Sequence, residues 1–135
     1  MLSCIIFLSL MTSAEPNRVR WTPHTEEDRE AVRQALEKIL SSPHFCNSKR
    51  YPALLRYVVE QTLTGNGEHI KERTLGIEVF GRAPDYDTNV DTAVRYSAGE
   101  VRKRLMLYHH ETTNVPIQIS LSARSYLPEF LRVEE

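Results

Sequence analysis

Apolar residues recur along the chain in four blocks with helical spacing, followed near the C-terminus by one block with strand spacing. The most regular block is "DTAVRYSAGEVRKRLMLY", residues 91–108. In it Val94, Ala98, Val101, Leu105 and Tyr108 follow at spacings of four, three, four and three. That is the stripe of a helix with one face on a core, and it predicts a helix over about residues 92–111. Upstream, Val32, Ala35, Leu36, Ile39 and Leu40 form a comparable stripe. Thr25 with Asp28 resembles a capping box, the acids at 26–28 suit the positive end of a helix dipole, and "SSP" at 41–43 is a stop. A helix over residues 25–41 follows.

A second helix is predicted over residues 48–64. Its broad apolar face is Leu54, Leu55, Val58, Val59, Thr62 and Leu63, with Pro52 in the first turn and Gly65 placed as the residue after the cap. "HIKERTLGIEVFG", residues 69–81, predicts a short helix over 70–80 that uses Ile70, Leu75, Val79 and Phe80. Gly76 inside it points to a close helix approach or an early end. "RAPDYDTNVD" is loop. After "TTNVP", Ile117, Ile119 and Leu121 alternate with Gln118 and Ser120, the period of a half-buried strand. A turn at 122–124 and a return strand at 125–130 complete a hairpin, with Pro128 placing that strand at an edge or cutting it short. The fold class is therefore mainly α with a C-terminal β-hairpin: one domain over residues 25–130, with 131–135 as a tail. No internal repeat or low-complexity segment interrupts it.

Residues 1–24 read as an apolar tail and a linker. The apolar run at 4–11 is too short to span a bilayer. It has the length of a signal-peptide core, but no Lys or Arg precedes it and "TSAE" is a loose cleavage site. The expectation is a tail outside the fold, with Met11 available as an alternative start. "AEPNRVRWTPH", residues 14–24, has two prolines and no period, so it reads as linker, with Trp21 able to pack back on the domain.

Charge adds little at the level of the whole chain. Seventeen basic residues stand against 18 acidic ones, a net charge of −1, so composition by itself does not argue for nucleic acid. Locally, residues 91–111 carry four Lys/Arg against three acids, with His109 and His110 able to add charge below neutral pH. Cys4 and Cys46 form neither a disulfide framework nor a CxxC pair. Cys46, after "SPHF", reads as a small buried hydrophobe or an idle thiol, and a reducing cytoplasm is the expected compartment.

Motifs for catalysis are missing. "GNG" at 65–67 is a turn, lacking the Lys and Ser/Thr of a phosphate loop. His44 with Cys46, and His109 with His110, lack further zinc ligands; Asp85 and Asp87 are too few for calcium and read as turn caps. No nucleophile motif surrounds a serine. The expectation is a non-enzyme without cofactor, metal, membrane or small-molecule substrate.

Three helices followed by a hairpin are the plan of a winged helix-turn-helix, and here residues 42–130 resemble a known family. "IKERTLGIEVFGRAPDYDTNVDTAVRYSAGEVRKRL" and "IQISLSARSYLPEF" are similar to a domain common in acidobacterial and other bacterial proteins. There it stands N-terminal to tetratricopeptide, β-propeller or adenylate-cyclase-like modules. That domain in turn is similar to the OmpR/PhoB-type DNA-binding domain of response regulators. The resemblance implies a three-helix core with the helix at 25–41 packed outside it. Residues 92–111 would be the recognition helix and the hairpin the wing. Three departures bear on DNA affinity rather than on fold: Asp91-Thr92 in place of Asp-Pro, Glu100-Val101-Arg102 in place of "RLR", and Ser122-Ala123-Arg124 in place of "PKG".

By that analogy the partner is double-stranded DNA, and the domain is a transcriptional regulator or a remnant of one. Arg95, Gly99, Arg102, Lys103 and Met106 share a helical face, with Ser97 beside it. Arg95 and Ser97 are assigned to base edges or nearby phosphates, and Gly99 to close approach. Arg102, Lys103 and Arg104 are assigned to phosphates, Arg124 to the wing contact and Lys71 to a backbone contact. The plainer alternative is a solvated face with cations near a helix C-terminus. A third is a protein-interaction module on the same fold using Tyr96, Met106, Leu107 and Tyr108. Dimerisation and any regulating signal are left open, with no ligand pocket evident.

Overall fold

The computed structural model describes residues 17–133; the expectations for the apolar run at 4–11 and for Cys4 lie outside them. In chain order the elements are β1 (Arg18–Arg20), α1 (Glu26–Leu40), α2 (Arg50–Leu63), a 3-10 turn (Gly67–His69), α3 (Glu72–Glu78), α4 (Ala93–Glu111), β2 (Ile117–Leu121) and β3 (Pro128–Val133). Among the described residues, four helices thus accompany a three-stranded antiparallel sheet of order β1-β3-β2. Among the described residues no helix is long and apolar enough to cross a membrane.

The local signals act as their chemistry requires. At α1 the Thr25 hydroxyl accepts from the Asp28 N–H at 3.0 Å, and the Asp28 carboxylate accepts from the Thr25 N–H at 3.2 Å. The His24 N–H, donating to the same carboxylate at 3.0 Å, and then the Thr25 N–H hold the Asp28 carboxyl below its ordinary range. At the end of α2, Gly65 adopts φ +86°. The N–H of Asn66 then reaches the Gln61 carbonyl at 2.8 Å and that of Gly65 reaches Thr62 at 3.2 Å, closing the helix as a Schellman motif. The predicted apolar stripes meet in one core, in which Val32, Leu36, Leu54, Leu55, Val58, Val101, Leu105 and Ile119 are almost fully buried. Each such side chain stabilises the fold by roughly 1.5–3 kcal/mol over exposure.

Several expectations need correcting. Residues 18–20, read as linker, pair with β3, Arg18 opposite Val133 and Arg20 opposite Leu131. Trp21 then packs on the core, its N–H donating to the Phe130 carbonyl at 2.9 Å. Three residues are too few for a period to show, so this strand depends on an edge supplied by β3. Likewise residues 131–133 belong to β3 and not to a tail.

The third helix is shorter than the predicted 70–80, because Ile70 and Lys71 are extended, Lys71 at φ −132° and ψ 162°. Ile70 is still buried, from outside the helix. Gly76 admits no neighbouring helix; a Cβ there would fall on the hydroxyl and ring of Tyr86, from the loop. Cys46 is exposed, so the buried option fails, and its neighbour Phe45 fills the core instead.

Pro128 is not on an edge strand, since β3 lies in the middle. It opens the strand opposite Leu121, beyond the reach of β1, so its missing N–H costs no ladder bond.

Candidate nucleic-acid interface

Helix α4 carries most of the predicted site. Its inward stripe is Val94, Ser97, Ala98, Val101, Leu105 and Tyr108, wider by one residue than the apolar pattern. Ser97, assigned above to DNA, is fully buried, and its hydroxyl has no partner among the described residues. It sits one turn from both Val94 and Val101 and so is drawn inward with them. Tyr108, offered as part of a protein-binding face, is buried as well.

The start of α4 is held by the preceding loop. Thr92 makes no side-chain cap; instead the Asp91 carboxylate accepts from the Ala93 N–H at 3.1 Å and from the Arg82 guanidinium at 2.6 Å. The Arg82 bond, then the Ala93 N–H, keeps this carboxyl below its ordinary range. Tyr86 donates to the Glu72 carbonyl at 3.2 Å, and Arg73 donates to the Pro84 and Tyr86 carbonyls at 3.0 and 2.8 Å. The loop is thereby pinned to α3.

The cations of α4 divide by partner. Arg95 donates to the Glu72 carboxylate at 3.0 Å and to the Thr88 carbonyl. Arg104, expected on phosphate, turns away from the others. It donates to the His44 carbonyl at 2.7 Å, reaches Glu100 at 3.4 Å, and lies 4.7 Å over the Tyr51 ring. Two residues from Arg102 on a helix is about 200° around it, which explains the separation. Glu100 follows Arg104 and so leaves the face of Arg95 and Arg102, where its anion had been expected to interfere.

Arg102 reaches over to the hairpin loop, donating to the Ser122 carbonyl at 2.9 Å and the Ser125 carbonyl at 3.0 Å. Lys103, Arg124 and Lys71 are exposed, with no side-chain partner among the described residues, and Gly99 is exposed with open space around it. The predicted set therefore separates. Arg95, Arg102 and Arg124 line one cleft of about 210 Å³, closed by Ser125 and Tyr126. Lys103 and Gly99 flank it on the same helix face, whereas Ser97 and Arg104 leave the set. Burial, then the charge of Glu72, pushes the Tyr126 phenol up, so it stays neutral in the cleft.

His109 does not add charge as expected. Its Nε2 lies 3.1 Å from both the N–H and the carbonyl of Ile119, and burial pushes the imidazole down to about 4, with the nearby Arg18 charge acting the same way. Missed by sequence reasoning were Tyr126 and the carbonyls that hold Arg102. Backbone acceptors carry no signal in a residue pattern, so only the fold reveals them.

Comparison with protein-family models, with curated proteins and with solved structures gave no match to this chain.

Proposed function

We propose that this chain is a winged helix-turn-helix domain of the OmpR/PhoB-like type that binds double-stranded DNA. In this reading α4 is the helix that enters the major groove, and residues 122–127 are the wing on the adjacent backbone. The observation that carries the reading is the arginine cleft. Two guanidinium groups from α4 and one from the hairpin loop converge on a volume that fits a phosphate group. Lys103 and Arg124, without partners among the described residues, take phosphate oxygens, and exposed Gly99 lets the α4 backbone come close. Arg95 gives up Glu72 to do so. The chain acts without a cofactor and without chemistry of its own, as a regulator of transcription.

The test is fluorescence anisotropy of a labelled random-sequence duplex across a series of salt concentrations. Lys103→Ala with Arg124→Ala is the variant of choice, because replacing Arg102 would also release the hairpin loop. Binding is expected to weaken with salt, and the slope to fall by roughly two phosphate contacts in the variant. Absence of binding at low salt overturns the reading. The protein-interaction module would then stand in its place, favoured by Tyr96 and Met106, which are 62% and 73% exposed on α4.

A further inference from the structure

A second opening adjoins the arginine cleft. It is a groove of about 540 Å³ between the C-terminal half of α4 and β2, within the size range of small-molecule sites. Leu105, Met106, Ile119 and Leu121 line its length. Its basic lining is Arg102 at the hairpin end and Arg18 with His110 at the other, and there is no Asp or Glu among the lining residues.

Those two arginines differ from most others in the fold. Arg20, Arg29, Arg33, Arg56, Arg82, Arg95 and Arg104 each meet a carboxylate. Among the described residues Arg18 donates only to the carbonyls of Thr113, Val115 and Pro116, and Arg102 only to those of Ser122 and Ser125. Carbonyls orient a guanidinium but leave its charge uncompensated, so each half-buried arginine still favours an anion. Between them lies His109. When the Ile119 N–H donates to Nε2, the proton of the neutral ring resides on Nδ1. That nitrogen is buried and without a partner among the described residues.

We infer that this groove binds a small amphipathic anion, an apolar chain lying along Leu105, Met106, Ile119 and Leu121 with its carboxylate held at a basic end of the groove. Arg102 and His110, eight residues apart on α4, are separated by about 12 Å along the helix, which a carbon chain of about ten atoms spans. The groove lies beside the proposed DNA face, sharing Arg102 and Ala123 with the arginine cleft. Ligand binding does not depend on the DNA reading and can fail or succeed without it.

Decanoate is the probe, titrated into the protein and followed by two-dimensional NMR of the Ile and Leu methyl groups. Decanol supplies the chain without charge, and acetate the charge without chain. Met106→Glu puts a carboxylate on an exposed lining residue without touching the core. The expected result is saturable shifts at Leu105, Ile119 and Leu121 with decanoate, affinity roughly tenfold or more above that for decanol, none with acetate, and loss in the variant. Decanol binding as tightly as decanoate would overturn the anion assignment. Shifts centred on another part of the molecule, no saturable shift, or unchanged binding by Met106→Glu would overturn the site.

Discussion

The two flanks of α4 carry similar residues and behave differently. Toward α2 and α3, cations are matched with acids: Arg95 with Glu72, Arg104 with Glu100, and Arg82 with Asp91 at the start of the helix. Toward the hairpin, Arg102 and Arg18 rest on carbonyls, Lys103 and Arg124 are unpaired among the described residues, and no acid lines the groove. His109, on that second flank, is kept neutral by burial and by Arg18, with no carboxylate there to favour its charge. One flank therefore spends its charge on holding the fold together. The other keeps charge available for an anion from outside, which is the basis of the groove proposal and, with Arg95 released from Glu72 to join it, of the DNA reading.

The sharpest way to break the matched flank is Gly76→Ala. The added methyl displaces Tyr86, which donates to the Glu72 backbone and keeps the loop on α3. A loss of about 3 kcal/mol in chemical denaturation is expected, and a neutral result would mean that Tyr86 relocates freely. Next in size is a paired comparison within α4. Arg104→Ala removes the bond to the His44 carbonyl and the contact with Tyr51, for about 2 kcal/mol. Lys103→Ala, one residue away, is expected to stay within roughly 0.5 kcal/mol. Equal losses would erase the distinction between the flanks.

A smaller effect concerns pH. The imidazole of His109 titrates near 6.5 when unfolded and about 4 when folded, so between those values the unfolded chain binds more proton. Stability contributed by the neutral ring is full above pH 6.5, falls as pH is lowered toward 4, and is gone below it. Because part of the ring reaches solvent, the loss is on the order of 1 kcal/mol rather than the full linkage value. Thermal denaturation from pH 7 to 4 should show it in the wild-type chain and a flatter curve in His109→Gln; parallel curves would reject it. The smallest effect is a gain. Ser97→Ala removes a buried hydroxyl without a partner and should stabilise by about 0.5 kcal/mol, leaving any DNA affinity unchanged. A drop in DNA affinity would return Ser97 to the interface.

Much of the architecture was legible before any coordinates. The capping box at Thr25 and Asp28, the glycine after α2, the stripe of α4 and the alternation of β2 are all local devices. Each is decided by residues within a few positions of one another, so a linear pattern contains the information. Where the reading failed, the deciding partner was distant. The strand at 18–20 needed an edge more than a hundred residues away, and Gly76 needed Tyr86.

For the candidate site the division is the same. The sequence alone determined which cations lie on α4 and that the helix has one buried stripe, because helical geometry fixes the angle between neighbours. Helical angles also place Ser97 and Arg104 away from the face of Arg102; only the tertiary structure decided that Arg104 meets the His44 carbonyl and the Tyr51 ring, and that Arg102 and Arg124 line one cleft with the hairpin loop. It also decided that a groove free of acids lies along β2. Charge compensation depends on distance in space, and a side chain's nearest counter-charge or carbonyl comes from whichever segment the core has drawn against it.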